Sequence, residues 1–346
     1  MSSPPLGVIE GFFGKPWSDA ERVACAEFLQ PRGFDFYVYA PKADRHLRRQ
    51  WAVPFPDAEL AELAALSAEI RGRAVRFGIG LTPYNIHQNY DAGARAALRA
   101  KVAQLNAIGT DVLCILFDDM PGNFAGLAQL QARVVGDVTA WSAATTFIMC
   151  PTYYSDDPIL ERVFGAAPLN YWQDLGRDLD PAIGIFWTGQ KICSVGYSDP
   201  HLEDVATRLH RKPFLWDNHI ANDGKIRCAH VYLDLTTSGW SLNRALAAGL
   251  AVNPMNQPGL SRIALAAYAD GPAFEPHLRA VCSAALGDAL LGDVELFQHR
   301  GIAQLDAAGR AALAQKYRRF KPEWCAREIV AWLAGDYDFD PNCLTE

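Results

Sequence analysis

Eight short apolar runs, separated by stretches of helical period, restrict what this chain can become. They are Leu6–Glu10, Phe34–Ala40, Arg76–Leu81, Asp111–Phe117, Thr146–Cys150, Ile183–Trp187, Pro213–Trp216 and Leu250–Asn253, and Val, Ile, Phe and Tyr dominate them. Their starts lie 28 to 42 residues apart, the length of a strand, a helix and two loops. Such alternation builds a parallel sheet covered by helices, and eight units close into a barrel of about 250 residues. The spacing predicts an α/β fold, a (β/α)₈ TIM-type barrel, over residues 1–271.

The helices between the runs are legible too. Asp57 is read as the N-cap of a helix carrying Leu60, Leu63 and Ile70, and Leu98, Val102 and Leu105 form a stripe that stops at Gly109. Leu127, Leu130, Val134 and Val138 repeat the pattern. Residues 272–346 have helical composition in Ala280–Leu291 and Val294–Arg318, then an aromatic stretch through Tyr317, Phe320 and Trp324. That is too short for a second catalytic domain, so it reads as a C-terminal helical extension packed on the barrel.

Composition narrows the partners. A net charge of −7 opposes a sequence-independent grip on nucleic acid or an anionic membrane, both of which need a basic face. A neutral or weakly polar ligand fits better. Met1–Pro5 leads into Leu6–Ile9 without the basic segment and long apolar stretch of an export signal, and no run approaches the roughly 20 apolar residues of a membrane span. The expectation is a cytoplasmic protein. Eight scattered cysteines without a Cys-x-x-Cys pair are expected to be reduced, small core residues.

In such a barrel the active site lies where the strands end, so polar residues just after each run matter most. Strand one ends in Glu10-Gly11, strand two in Tyr39-Ala40-Pro41-Lys42, strand four in Phe117-Asp118-Asp119, strand seven in Trp216-Asp217-Asn218 and strand eight in Asn253-Pro254. Asp118 and Asp119 should emerge a few ångströms apart into the mouth. Two carboxylates that close cannot both ionise freely, and one should hold its proton near neutrality, as a general acid for a glycosidic leaving group must. A metal site or a helix N-cap would use the same dipeptide. Trp17, Tyr39, Tyr153, Tyr154, Trp187 and Trp216 also fall at strand ends, where rings suit stacking on a sugar.

Five ordered motifs go further: Gly7-Val8-Ile9-Glu10-Gly11-Phe12-Phe13-Gly14-Lys15-Pro16-Trp17, Tyr39-Ala40-Pro41-Lys42, Phe117-Asp118-Asp119, Cys150-Pro151-Thr152-Tyr153-Tyr154, and Trp216-Asp217-Asn218 through Asn222-Asp223. Asn253-Pro254 is a sixth. Over roughly Gly7 to Asn256 the chain resembles the catalytic domain of glycoside hydrolase family 84, the O-GlcNAcases and bacterial β-N-acetylglucosaminidases. The resemblance implies a retaining enzyme that removes terminal β-linked N-acetylglucosamine from a glycoside or glycoconjugate, using the substrate's own acetamido group as nucleophile and needing no cofactor or metal.

By position, the resemblance gives Asp118 the task of orienting the acetamido group and Asp119 that of general acid, then base. Tyr154 would bond the acetamido oxygen and Asn218 would stand beside the acid. Gly11 would offer its carbonyl, Lys42, Asp223 and Asn253 would reach ring hydroxyls, and Trp216 would wall the pocket. Singly, these are ordinary surface, turn and loop residues; the ordered set points to a site. Phe13 departs from the tyrosine common in the family, and Val231-Tyr232-Leu233-Asp234 does not follow its loop sequence. Two alternatives remain at this level. One is a metal-dependent barrel hydrolase using Asp118, Asp119 and Asp217, although of the eight histidines only His219 is near a strand end. The other is a barrel that binds an amino sugar or glycan without turning it over.

Overall fold

A computed structural model describes residues 3–345 of the chain. The eight runs become eight parallel strands of one closed barrel: β1 (Leu6–Glu10), β2 (Phe36–Tyr39), β3 (Arg76–Leu81), β4 (Val112–Leu116), β5 (Thr146–Cys150), β6 (Gly184–Trp187), β7 (Phe214–Asp217) and β8 (Gly249–Val252). Closure is made by β8 lying beside β1, with Leu6 opposite Leu250 and Gly7 opposite Ala251. Strands this apolar suit a sheet covered on both faces, and β1 and β4 are buried at every position.

Three strands have the bounds that the runs gave, and the differences at the others have physical causes. Phe34 and Asp35 precede β2 because the Phe34 N–H closes the preceding helical turn on Leu29 and the Asp35 carboxylate accepts the Leu6 N–H at 2.9 Å. At the other end of the barrel, β7 ends one residue later than expected, since Asp217 still pairs with Val252. Successive strand residues point to opposite faces, so this extension decides where the Asp217 carboxylate goes.

Helices follow the strands: α1 (Asp19–Leu29), α2 (Asp57–Arg71), α3 (Ala92–Ile108), α4 (Leu127–Trp141), α5 (Ile159–Phe164), α6 (Tyr171–Asp178), α7 (Asp199–Leu209) and α8 (Pro258–Asp270). Asp57 is the first helical residue rather than the cap, a position held by Pro56; there it faces the positive end of the helix dipole. Helix α3 stops at Gly109, whose φ of 82° is the left-handed conformation that favours glycine.

Beyond the barrel lie α9 (Phe274–Val281), α10 (Ala284–Val294), α11 (Ala307–Arg318) and α12 (Trp324–Ala334). The two long helices expected there are each divided. Ser283 caps α10 by accepting the Leu286 N–H, Gly301 turns the chain at φ 71°, and Asp306 caps α11 through the Gly309 N–H. Leu278, Leu286, Leu290, Phe297, Tyr317, Ile329 and Trp332 form a second apolar core with Leu260 and Ile263 of α8. From α12, the buried Glu328 carboxylate accepts the Gly259 and Leu260 N–H groups at 2.7 and 2.8 Å, satisfying orphan donors at the start of α8.

This second core explains the departing segment at 231–234. Val231 and Leu233 are buried in it, and the Gln298 side chain bonds the Leu233 and Asp234 N–H groups and the Asp234 carbonyl. The sequence of that loop answers to the helices packed on it. Among the described residues no helix is long and apolar enough to cross a membrane.

Candidate active site

The C-terminal ends of the strands surround a cleft of about 610 Å³ that is open to solvent. Its lining includes Gly11 after β1, Lys42 after β2, Asp118 and Asp119 after β4, Tyr154 after β5, Trp216, Asn218 and Asp223 from β7 and its loop, and Asn253 after β8. Residues up to 242 positions apart therefore meet, as when the Gly11 N–H donates to Asn253 Oδ1 at 3.1 Å.

Two carboxylates and two cations form the floor. Lys42 Nζ bonds Asp118 Oδ2 closely and lies 3.3 Å from Asp119 Oδ2. Arg48 Nη2 lies 3.5 Å from the same Asp119 oxygen. All four side chains are buried. Burial holds the Asp119 carboxyl above the ordinary aspartate range and the charge of Asp118 adds to this, against the opposing pull of Lys42 and Arg48. Burial also works against the Lys42 ammonium, yet Asp118 and then Asp119 outweigh it and keep its pKa above the usual lysine value. The lysine is thus engaged with both acids, and its third N–H is the donor that the family resemblance would direct to a sugar hydroxyl.

The backbone at Asp119 is left-handed, with φ 59°. Aspartate tolerates that region better than most residues, and the conformation turns consecutive carboxylates toward one space. Asp118 Oδ1 is buried without a hydrogen-bond partner among the described residues, an acceptor of the kind that a ligand N–H would satisfy.

Around this floor the other groups are braced. Asn218 Oδ1 accepts both the Trp216 indole N–H and the Asn253 amide at 2.9 Å, while Asn218 Nδ2 donates to the Ile192 carbonyl at 3.0 Å. The ring of Trp216 is seated by Gly11: a Cβ there would stand 2.3 Å from Trp216 Cζ2. Asp223 accepts the Phe13 N–H at 2.7 Å, and burial raises its pKa despite that bond. Burial, with Asp119 and Asp118 adding, pushes the Tyr154 hydroxyl well above its usual range, so it remains a donor.

Other strand-end residues turn away. Glu10 faces α1, where Arg22 reaches it at 2.7 and 2.8 Å and the Tyr37 hydroxyl at 2.6 Å. Asp217 accepts the Trp240 indole N–H and the His219 N–H, both at 2.6 Å. It does not join Asp118 and Asp119, so the three ligands of the metal alternative are not assembled. Of the six aromatic residues expected at the mouth, Tyr154 and Trp216 line it. Trp17 packs on Phe12 and Tyr37, Tyr39 bonds Asp44, Tyr153 bonds the Gly165 carbonyl, and Trp187 bonds His201. Tyr39 and Trp187 end their strands facing outward, and Trp17 and Tyr153 lie in the loops beyond β1 and β5.

Sequence reasoning missed Arg48 and two residues of the C-terminal segment, Cys343 and Thr345, that line the cleft; the Thr345 side chain meets the Tyr154 hydroxyl. No periodicity marks a loop or tail that returns from a distance. Five cysteines are buried, but Cys193, Cys228 and Cys343 are half-buried, and Cys193 shares the cleft wall with Cys343.

Comparison with known proteins places this geometry in a family. Residues 6–276 match the family model described as beta-N-acetylglucosaminidase. The Protein O-GlcNAcases of Mus musculus and Rattus norvegicus are each 29% identical over 226 residues, 63% of this chain and 24% of theirs. The match thus spans about a quarter of the length of these curated relatives. A mutant O-GlcNAc hydrolase of Thermobaculum terrenum shares the fold, with a TM-score of 0.73 at 23% identity, over 95% of this chain and 74% of that one. The chain belongs to the β-N-acetylglucosaminidase family of glycoside hydrolases.

Proposed function

We propose that the protein is a retaining β-N-acetylglucosaminidase that releases terminal β-linked N-acetylglucosamine with help from the substrate's acetamido group. The observation that carries this is the inequality of the two floor carboxyls: Asp119 is biased toward its protonated form, while Asp118 presents an unpartnered acceptor oxygen beside it. An acid and an N–H acceptor, side by side, are what the reaction asks for.

In the first step the acetamido carbonyl oxygen bonds the anomeric carbon, the glycosidic C–O bond breaks, and Asp119 passes its proton to the departing oxygen. Asp118 accepts the acetamido N–H as positive charge grows on that nitrogen. In the second step water bonds the anomeric carbon, gives a proton to Asp119, and the oxazoline C–O bond opens to return the β-anomer. Tyr154 donates to the acetamido oxygen, Asn218 holds Trp216 against the sugar, and Asp223, Asn253, Lys42 and the Gly11 carbonyl meet its hydroxyls. The rodent relatives' name makes protein-linked N-acetylglucosamine one class of aglycone to try.

The test is hydrolysis of 4-nitrophenyl N-acetyl-β-glucosaminide by the purified protein, with the first-formed anomer read by NMR. Turnover with retention, blocked strongly by a thiazoline mimic of the bicyclic intermediate, is expected. Sugar binding without turnover would favour a binding module, loss of activity on chelation a metal hydrolase, and a trapped covalent glycosyl-enzyme a protein nucleophile.

Gly11 offers a second check on the same site. In Gly11→Ala the new methyl group must displace the Trp216 ring, uncoupling it from Asn218. We expect kcat/KM to fall by about 10²-fold, the scale of a misplaced wall or reacting group, with far-UV circular dichroism unchanged. Wild-type kinetics in this variant would remove Trp216 from the substrate wall.

A further inference from the structure

We infer that Arg48 is a positioning residue of the reaction, holding the Asp119 carboxyl in place and stabilising the carboxylate that is left once its proton has gone to the departing oxygen. The inference rests on the reading of Asp119 as acid and then base.

The loop that carries Arg48 is fixed on both sides. The Asp44 carboxylate accepts the His46 and Leu47 N–H groups, the Leu47 carbonyl accepts the Thr82 N–H at 2.8 Å, and the Trp51 indole donates to the Tyr84 carbonyl at 3.0 Å. From this base the Arg48 side chain runs inward between two rings, with its guanidinium carbon 5.5 Å from the Phe13 centroid and 5.1 Å from that of Tyr84. Its one ion pair among the described residues is with Asp119. Burying a guanidinium is costly unless it is paired, and this one leaves its Nε–H without a partner among the described residues. Packing alone would be served by an apolar side chain there. The charge is what the position retains.

That charge is permanent, since arginine does not lose its proton in proteins. The groups facing Asp119 are Asp118 on its own segment, Lys42 and Arg48 from the loop after β2, and Cys150 and Tyr154 from the end of β5. Burial keeps the last two neutral. Lys42 is shared between the acids, with its closer bond to Asp118 and its second, at 3.3 Å, to Asp119, whereas Arg48, at 3.5 Å, pairs with Asp119 and no other acid among the described residues. With both acids ionised, two positive charges meet two negative ones and the cluster is neutral. Without Arg48 the same state carries an unbalanced buried negative charge, and Asp119 holds its proton too tightly to serve as base.

The signature is a pair of pH limbs that move together. With an activated aryl glycoside, opening of the intermediate by water limits the rate, and the acidic limb reports Asp119 as base. With a poor leaving group, glycoside cleavage limits, and the alkaline limb reports Asp119 as acid. In Arg48→Met both limbs should move to higher pH by about one unit, the scale of one close opposite charge, and Arg48→Lys should recover part of the displacement. If Arg48 is merely structural, the variants lose melting temperature and kcat by one factor at every pH while both limbs stay; that result overturns the inference. Should Arg48→Met fail to fold, Arg48→Lys alone decides, because its more compact charge still displaces the limbs if Arg48 acts on Asp119 and leaves them in place if it does not. Limbs that persist in wild-type form in Asp119→Asn would instead take away the reading of Asp119, and this inference with it.

Discussion

Asp119→Asn is expected to slow hydrolysis of N-acetyl-β-glucosaminides with poor leaving groups by about 10²- to 10⁴-fold, the usual worth of a positioned general acid. Glycosides with activated aryl leaving groups should lose far less, because their oxygens depart without a proton. Asparagine is the informative replacement. The residue sits at φ 59°, a region asparagine tolerates as aspartate does, so the backbone turn survives, whereas alanine would add strain. Asparagine also removes the partner of Arg48 and Lys42 without opening a cavity. The measurement is kcat/KM across a series of aryl glycosides plotted against leaving-group pKa: the slope should steepen in the variant. Equal losses along the series would move the acid to another residue.

The parts of the molecule that sequence reasoning reached share one property. Each depends on order along the chain and little on side-chain direction. β1, β3 and β5 end where an apolar run meets Gly11, Thr82 or Pro151, and once eight such ends face one side, residues immediately after them converge without further information. That is why the nine proposed site residues share one cleft. Direction was harder. Glu10 and Asp217 lie in strand positions of the opposite parity and bury their carboxylates against Arg22 and Trp240, and an extra residue of pairing in β7 sufficed to send Asp217 outward. Trp17, Tyr39, Tyr153 and Trp187 likewise read as a sugar wall until their partners are known.

Arg48 and Thr345 mark a different limit. Arg48 lies six positions beyond Lys42 in a loop without periodicity, and only the anchoring of that loop to Thr82 and Tyr84 brings its guanidinium to Asp119. Thr345 reaches Tyr154 from the far end of the second core. The breaks between the C-terminal helices depended on Ser283, Gly301 and Asp306, each a common residue whose capping or turning role is set by the backbone path of its neighbours.

Asp118→Asn should cost activity against good and poor leaving groups alike, on the order of 10²- to 10³-fold, since a preorganised charge beside the growing positive charge acts whatever the aglycone. The variant should also shift the pH profile in the opposite direction to Arg48→Met. Burial and then the negative charge of Asp118 hold the Asp119 carboxyl high, and Lys42 and Arg48 pull it down. Replacing Asp118 by a neutral amide deletes the one charge that raises it. Lys42 also loses its closer partner, leaving two cations to face a single acid. The Asp119 carboxyl therefore gives up its proton at lower pH. A general acid works only while protonated, so with a poor leaving group the alkaline limb of kcat should retreat toward acid, by about one unit for the loss of a neighbouring like charge. The measurement is the pH dependence of kcat for one poor substrate in wild type, Asp118→Asn and Arg48→Met, read as coupled values of the cluster. An alkaline limb that stays in place in Asp118→Asn would mean that the two carboxyls do not sense each other, and the division of labour between them would fall.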